Sequence, residues 1–468
     1  MMITADTIVS ELNDDYFSDN EENDFCKSKI KTILDTLLSD VGFHKQLEEV
    51  EIFLKKVWDK YHGEYISEIL AKFPRIQQAL FGLEEDQTTG GRYRDHYVHM
   101  FNVFITGARI ISQIIRQSEQ NSENVDEVLA SVFRVESESK DNLPDSFPTP
   151  YSSVKRLFYL WAMISTFHDI GIPVEHLEKI KVGLNQYYKY FNSRIESIVM
   201  VQDNSLLEQV GEYIDHMANF HEMSICQSNG LYEKASQPNG FIKQCLLKEF
   251  ALNDHGVISA ICLFNSVIQP ALSNNLKYDL SIEQFNKFMQ NVVFHDIARA
   301  GIAISLHNIK KTKYPALFPI DPEKLPLAFL LILCDEVQES FRKEGISLEA
   351  ISNLNSFPTI EVIRENGNIR IKMMFSYESL NEEKERKIVD SYKNHLQNEL
   401  KGQAKFLFNN NDDYSFEKIV EKKWREGIFK TLEEKLKFSS RFSVTIKVAF
   451  RTGSSIEHVL VTKPQQSE

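Results

Sequence analysis

Imidazole and carboxylate side chains, which bind divalent metal ions, recur within or at the ends of apolar segments of this chain. His99 precedes Val103 by four residues, a spacing that puts both on one face of a helix. His168 and Asp169 stand together where Gly171 interrupts an apolar segment. Adjacent residues of a regular helix diverge by about 100°, so two such neighbours reach one ion only near a helix end. The pattern therefore predicts a metal site at the end of this segment.

Three further positions extend the pattern. His255 stands in the first turn of a predicted helix, and His307 stands at the end of another. Asp335 interrupts an almost wholly apolar run, where an unpaired carboxylate is costly and a metal ion would offset the cost. Ordinary interpretations also exist: such a histidine is more often a hydrogen-bonded core residue, and Asp335 could pair with Arg342. The order of the positions along the chain favours the metal site.

This ordered set resembles the HD superfamily of metal-dependent phosphohydrolases. The segment Phe167–Gly171 resembles the defining His-Asp motif of that family. His99 resembles the ligand of its first helix, and Asp335 resembles its closing aspartate. His255 and His307 resemble the additional ligands of its two-metal branches, which include the HD-GYP phosphodiesterases and the HD-fold dinucleoside tetraphosphate hydrolases.

The resemblance implies a metal-dependent phosphohydrolase that cleaves a phosphoester or phosphoanhydride bond of a nucleotide or a similar small phosphorylated molecule. Its cofactors would be one or two divalent metal ions (Mn, Fe, Mg, Ni, Co or Zn), since imidazole and carboxylate ligands suit all of them. Two ions about 3.5–4 Å apart would hold the phosphate and lower the pKa of the attacking water, with Asp169 as the bridging ligand. The implied metal ligands are His99, His168, Asp169, His255, His307 and Asp335.

Further roles fall to residues near these ligands. Asp169 and His96 are the predicted catalytic residues, and the proton for the leaving group could also come from His216 or from water. The predicted substrate-binding residues are Arg94, Arg299 and Lys310. Basic side chains at such positions are more often solvated surface charges, so their contact with phosphate is the less common of two interpretations.

The chain departs from the family pattern in two respects. His96 lies three residues before His99, whereas cyclic-nucleotide phosphodiesterases place a proton-donating histidine four residues before the ligand. No Gly-Tyr-Pro sequence follows His307, which argues against a cyclic-di-GMP phosphodiesterase. A second His-Asp pair begins at His295. The 12 residues from His295 to His307 correspond to about 120° on a straight helix, so His295 is only a reserve ligand.

Two other functions fit much the same residues. Helical HD-fold diiron oxygenases, such as inositol oxygenase, have a similar ligand set. Alternatively, the core could be a nucleotide-sensing HD module with a regulatory function. The ligand set argues mildly against a sensor, because a sensor need not keep every ligand.

The hydrophobic pattern predicts a mainly α fold with a small C-terminal α+β appendix, and the resemblance implies that the helical part is an HD-type bundle. We predict an N-terminal acidic and helical region at 1–85, the HD core at 86–350 and a C-terminal α+β domain at 351–468. Within the core, the polar stretches 117–150 and 227–240 are predicted to be surface excursions.

The C-terminal domain combines strand and helix patterns. Segments 359–363 and 369–373 predict two strands around an Asn-Gly turn, and 442–450 alternates as a third strand does. Helices are predicted at 378–402 and 415–437.

Composition limits the possible partners. The formal net charge of -14 disfavours binding to duplex nucleic acid, and the five cysteines, with no Cys-x-x-Cys pair, fit a reducing compartment. No apolar run approaches the roughly 20 residues of a membrane span, and the N-terminus has no signal-peptide pattern. We expect a cytoplasmic protein with no membrane partner and a small phosphorylated substrate. Exposed helix faces within 1–85 could also support a homo-oligomer.

Overall fold

The described part of the chain is mainly helical and contains one small four-stranded sheet. This composition confirms the prediction of a mainly α protein with a mixed C-terminal part. Arg94, most of 1–85 and nearly all of 227–240 lie outside the described residues. The computed structural model describes residues 4–12, 27–35, 50, 52, 96–135, 152–175, 210–219, 239–272, 283, 286, 289–338, 357–377, 382–399, 415–439 and 441–461.

The helices of these residues are numbered here in chain order. They are α1 (Ala5–Glu11), α2 (27–35), α3 (His96–Gln120), α4 (Val125–Phe133), α5 (Ser153–Phe167), α6 (210–219), α7 (Asn239–Ala251), α8 (His255–Leu272), α9 (Ala298–Asn308), α10 (Pro326–Gln338), α11 (Glu382–Glu399), α12 (Phe416–Lys422) and α13 (Lys430–Lys435). A π-helix, Met289–Ile297, leads into α9, and another, Lys423–Phe429, joins α12 to α13. A 3-10 turn spans Pro315–Leu317.

The chain divides into two compact units. Unit 1 comprises Met1–Phe53, Phe81–Glu123 and Leu333–Glu468. Unit 2 comprises Leu54–Leu80 and Asn124–Ile332.

The sheet of unit 1 has the order β1-β2-β3-β4. Its strands are β1 (Thr359–Glu365), β2 (Asn368–Ser376), β3 (Phe442–Ala449) and β4 (Ser455–Leu460). β2 pairs with β3 in parallel, and the two outer pairs are antiparallel. The three predicted strands are thus confirmed, whereas β4 was not predicted. The two predicted helical stretches are confirmed as α11 and the α12–α13 segment.

The predicted Asn-Gly turn joins β1 to β2. Asn366 and Gly367 both have positive φ values, 52° and 78°. Two consecutive residues in this region are typical of the type I′ turn, whose twist matches that of the strands it connects. The side chain of Gln113, on α3, donates to Ile360 O and accepts from Val362 N of β1, at 2.7 and 2.8 Å. These bonds tie α3 to an edge strand.

The core of unit 2 is built around α5, α8 and α9. All residues of α5 from Arg156 to Phe167 are buried. Gly256 permits close packing of α8 on α9, because a Cβ at this position would lie 2.9 Å from Ile304 O. The buried Tyr213 hydroxyl on α6 donates to Ala260 O (3.2 Å) and Ile297 O (3.1 Å), and burial raises the pKa of this phenol.

The predicted surface excursion at 117–150 is wrong in its first part. α3 continues to Gln120, and α4 follows after four residues. The Asn124 side chain accepts a hydrogen bond from Asp126 N and caps α4, in which Val128, Leu129 and Phe133 are buried. Asp126, Glu127 and Ser131 of α4 are exposed, so this part of the predicted excursion is an amphipathic helix. Residues 136–151 lie outside the described residues.

Within the described part of the chain, one helical segment, Ser153–Glu175, is long and apolar enough to cross a membrane by length and composition. However, 83% of its apolar window is buried inside the protein. Core helices of soluble proteins have this same character, so the finding is compatible with a soluble protein.

Candidate metal centre

His168 and Asp169 lie in a turn directly after α5. The His168 amide still donates to Ile164 O (3.1 Å), whereas the chain leaves the helix at the next residues. Gly171 N donates to the Ser259 hydroxyl on α8 at 2.7 Å. A Cβ on Gly171 would lie 2.3 Å from His255 O, so the turn requires glycine to pack against the start of α8. The His-Asp pair is therefore held beside His255.

Asp254 brings the other two histidines together. Its carboxylate accepts a hydrogen bond from Val257 N (3.1 Å) and so caps α8, which begins at His255. The other oxygen of Asp254 accepts a hydrogen bond from Nδ2 of Asn308 (2.7 Å), the residue directly after His307. Burial raises the pKa of Asp254, and the nearby His255 opposes that rise. One carboxylate therefore links the start of α8 to the end of α9.

The imidazoles converge on the Asp169 carboxylate through their Nε2 atoms. Asp169 Oδ1 lies 3.7 Å from His255 Nε2 and 3.6 Å from His307 Nε2. The same two Nε2 atoms are 3.2 Å apart, and His168 Nε2 lies 3.6 Å from Asp169 Oδ2. His168 is fully buried, and Asp169 and His307 are buried as well.

Two of these histidines donate a hydrogen bond from their other ring nitrogen, Nδ1, to a backbone carbonyl oxygen. His168 Nδ1 lies 2.8 Å from Ser165 O, and His307 Nδ1 contacts Ile304 O. A carbonyl oxygen only accepts hydrogen bonds, so each Nδ1 must carry the hydrogen. In a neutral imidazole the lone pair is then on Nε2, the atom that faces Asp169.

His255 is oriented by a carboxylate instead. Its Nδ1 lies 2.5 Å from Glu175 Oε2, which accepts the ring hydrogen. Metal-binding histidines commonly donate their second nitrogen to a carboxylate or to a backbone carbonyl, which fixes the tautomer and the ring orientation. His168, His255 and His307 all have this arrangement.

The arrangement has an electrostatic consequence. In the neutral tautomers, the Nε2 lone pairs of His255 and His307 lie 3.2 Å apart and face one carboxylate, an arrangement that a metal ion or a proton shared by the two rings would stabilise. One ligand atom from each of Asp169, His255 and His307 lies within 4.8 Å of the others. These three residues could hold a metal ion, as predicted from the sequence.

Comparisons with known proteins add no relative. No family model, no curated protein and no solved structure matches the chain. The site is therefore interpreted from its own atoms, and the resemblance to the HD superfamily stays a prediction.

The remaining two predicted ligands, His99 and Asp335, both belong to unit 1. Their side chains are in contact, with His99 Nε2 2.8 Å from Asp335 Oδ1. His99 is buried on α3, and Asp335 is largely buried on α10. The alternative partner of Asp335, Arg342, lies outside the described residues. That this pair shares an ion with His168 and Asp169 stays a prediction.

The reserve ligand His295 is engaged elsewhere in unit 2. Its Nδ1 lies 2.9 Å from Asp296 Oδ1. Arg156 donates to both oxygens of Asp296, from Nε at 2.6 Å and from Nη2 at 2.8 Å. Burial alone would raise the pKa of Asp296, but hydrogen bonds from His295 and Arg156 outweigh it and lower the pKa. Asp296 of this second His-Asp pair therefore forms a buried ion pair with Arg156, whereas His295 is exposed.

Two of the three predicted substrate-binding residues, Arg299 and Lys310, belong to the described part of the chain. Arg299, in the first turn of α9, donates to Arg134 O (2.6 Å) and Phe133 O (2.9 Å). Lys310 is exposed shortly after the end of α9. Arg94 and the side chain of the predicted catalytic residue His96 lie outside the described residues.

The alternative proton donor His216 is described, on α6. Its ring stacks on Phe294, with a centroid separation of 4.6 Å and an interplanar angle of 9°. His216, like His96 and water, stays a predicted proton donor.

Sequence reasoning missed two residues of the centre, Glu175 and Asp254. Glu175 is 80 residues from its partner His255, and nothing local in the sequence indicates that pairing. Asp254 does have a local signal, because an aspartate directly before a predicted helix is a typical N-cap. Its bond to Asn308 has no such signal.

Proposed function

We propose that this chain is a cytoplasmic, metal-dependent phosphohydrolase with an HD-type helical core. The observation that supports the proposal is the convergence of three Nε2 atoms on the carboxylate of Asp169, with each Nδ1 hydrogen donated to an oxygen. The imidazole and carboxylate donors suit Mn, Fe, Ni, Co or Zn, and Mg is also compatible with the carboxylate. The proposed substrate is a nucleotide or another small phosphorylated molecule.

The roles of the chain's own residues follow from these contacts. When bound, one or two divalent ions would polarise a phosphoryl oxygen and lower the pKa of a bound water. Asp169 would supply the anionic ligand that faces His255 and His307. Glu175 would keep the His255 ring oriented, and Asp254 would keep His255 and His307 adjacent.

A second ion is part of the proposal on the sequence argument alone. The family pattern implies that His99 and Asp335 hold it together with the His-Asp pair. Loss of one of two bound ions after His99→Ala would support this assignment. An unchanged metal content in that variant would contradict the role of His99 as a ligand of a second ion.

The decisive experiment joins metal analysis to activity. Full-length protein is stripped with a chelator, reloaded with each candidate metal and assayed with phosphomonoesters, phosphodiesters and nucleotides. We expect metal-dependent phosphate or nucleotide release in the wild type, and a loss of at least about 100-fold in His307→Ala, since ligand loss exceeds the effect of an outer-shell change.

The matched control is His458→Ala. His458 is a histidine of unit 1 that contacts Glu433 on the protein surface, so its variant should retain activity. Hydrolysis that survives His307→Ala would reject the proposed site. Oxygen consumption with a polyol would indicate an oxygenase, and tight nucleotide binding without turnover would indicate a sensor; either result would reject the hydrolase.

A further inference from the structure

A pocket in unit 2 lies outside the metal centre and is lined by cations. Its volume is about 190 Å³, and the basic side chains around it are Arg134, His295, Arg299 and Lys324. None of the described residues that line it is acidic. Cationic groups gathered around one concavity repel each other, and an anion between them would relieve that repulsion.

The start of α10 adds to the positive character of this pocket. Residues 325–328 form part of the wall. The first hydrogen bond of α10 runs from Phe329 N to Leu325 O at 2.9 Å, so the amides of Leu327 and Ala328 precede it. Backbone amides in a first helical turn carry partial positive charge and favour anions.

Backbone contacts fix the two arginines of the pocket against each other. Arg299 donates to Arg134 O and Phe133 O. Arg134 Nε donates to Glu323 O at 2.9 Å, which connects the end of α4 to the segment before α10. These backbone bonds hold the position of each guanidinium, a group with five N–H donors that suits the recognition of phosphate oxygens.

Arg134 has an unusual backbone for its residue type. It follows α4 with φ 56° and ψ 34°, in the left-handed region. Glycine is the usual residue at this position after a helix, because a Cβ makes the conformation unfavourable. The arginine side chain is thus placed at the pocket despite a backbone cost.

The pocket and the metal centre lie at opposite ends of α9. Arg299 and His307 are eight residues apart on this helix, which corresponds to about 12 Å along its axis. The pocket is also smaller than the roughly 300–1,000 Å³ of sites that take drug-sized ligands. Its volume suits a phosphate with a small body, against the apolar wall that includes Ile302 and Leu325.

We propose that this pocket is a separate binding site for a phosphate group, either inorganic phosphate or the phosphate of a small phosphomonoester. The site is independent of the metal centre. Three permanent cations and the first-turn amides of α10 would hold the phosphate oxygens, and Ile302 and Leu325 would contact the body of an ester.

The test measures phosphate binding in protein that cannot bind metal. Chelator-treated, full-length Asp169→Asn protein is titrated with inorganic phosphate, and separately with ribose 5-phosphate, at constant ionic strength by calorimetry. We expect saturable binding at one site. Tighter binding of ribose 5-phosphate would assign a sugar phosphate, and equal or weaker binding would assign the phosphate ion.

Two variants locate the binding site. Arg134→Gly removes the guanidinium with its bond to Glu323 O but supplies the residue that the left-handed backbone prefers; the two effects on stability oppose each other, so the unfolding temperature without phosphate should change little. We expect Arg134→Gly and Lys324→Gln each to weaken phosphate binding by at least about 10-fold, or about 1.4 kcal/mol. Lys248→Gln removes an exposed lysine of α7 and should leave binding unchanged.

Three results would overturn the proposal. They are the absence of saturable binding, unchanged affinity in Arg134→Gly, and an equal loss of affinity in the Lys248→Gln control. Phosphate binding that requires restored metal and Asp169 would assign the anion to the metal centre, which would contradict this proposal and support the proposed function. Failure of the hydrolase assay alone would leave phosphate binding in metal-free protein unchanged.

Discussion

Unit 2 contains two His-Asp pairs with the same sequence and different surroundings. The carboxylate of Asp296 receives two hydrogen bonds from Arg156 and contacts its neighbour His295. The carboxylate of Asp169 lies 3.6–3.7 Å from imidazole Nε2 atoms, including that of its neighbour His168. One aspartate faces a permanent cation, and the other faces ring nitrogens that bear lone pairs.

The difference teaches that the partner of the carboxylate decides the chemistry of the dipeptide. A guanidinium already balances the charge of Asp296, so that carboxylate has no need of a metal ion. The His168 Nδ1 hydrogen goes to a backbone carbonyl, which leaves Nε2 to face Asp169. His295 instead directs Nδ1 to Asp296. A dipeptide motif alone therefore does not identify a ligand pair.

The largest expected effect is on stability, at the second pair. Asp296→Asn leaves the buried Arg156 without its carboxylate, and loss of one partner of a buried ion pair costs about 3–5 kcal/mol. Urea denaturation followed by circular dichroism measures the change in unfolding free energy. The exposed pair Lys372–Glu361 is the control, because Lys372→Met should cost less than about 1 kcal/mol. A loss below about 1 kcal/mol in Asp296→Asn would contradict the ion-pair interpretation.

The corresponding change at the first pair should affect metal binding. Asp169→Asn replaces the anionic ligand with a neutral amide, so metal affinity should fall by more than about 100-fold. Mass spectrometric metal analysis of reloaded, full-length protein measures the effect. Asp296→Asn is the matched control and should keep its metal. If both variants retain metal equally, the two pairs do not differ in the way proposed.

A smaller effect is expected from the residue that orients His255. Glu175→Gln retains the shape but weakens the acceptor for His255 Nδ1, which lies 2.5 Å away. Changes of this kind typically cost about 10–100-fold in metal affinity. A competition titration against a chromophoric chelator can resolve this range. Wild-type affinity in Glu175→Gln would mean that the contact has no part in metal binding.

The smallest effect concerns pH, and its sign follows from the lowered pKa of Asp296. A carboxylate whose pKa is lower in the folded than in the unfolded chain stabilises the fold above the unfolded value of about 3.9. This contribution is lost as the pH falls through the folded pKa. The stability difference between wild type and Asp296→Asn should therefore be constant near neutral pH and narrow below about pH 4. A difference that widens in acid would reverse the assigned sign.

Some features of the molecule could be predicted from local sequence. The Asn-Gly turn between β1 and β2 was predictable because only certain residues tolerate two consecutive positive φ values. The adjacency of Asp169, His255 and His307 was expected from the resemblance to the HD superfamily, which the order of these residues along the chain suggested. Strand β4 was missed because it is short, only partly buried and contains Glu457 and His458.

Other features depend on contacts that the sequence does not indicate. Arg156 and Asp296 are 140 residues apart. The sequence around the second His-Asp pair therefore did not indicate that its aspartate binds an arginine and not a metal ion. The same applies to Glu175 and His255, which are 80 residues apart. Such long-range pairs are determined by tertiary packing, and periodicity and capping signals report only on local structure.

The most direct measurement is anomalous X-ray diffraction from crystals of the full-length, metal-loaded protein, collected at the absorption edge of the bound metal. We predict an anomalous peak about 2.0–2.3 Å from Nε2 of His255, Nε2 of His307 and a carboxylate oxygen of Asp169. A metal peak located elsewhere, or the absence of a peak between these three residues after loading, would contradict the account.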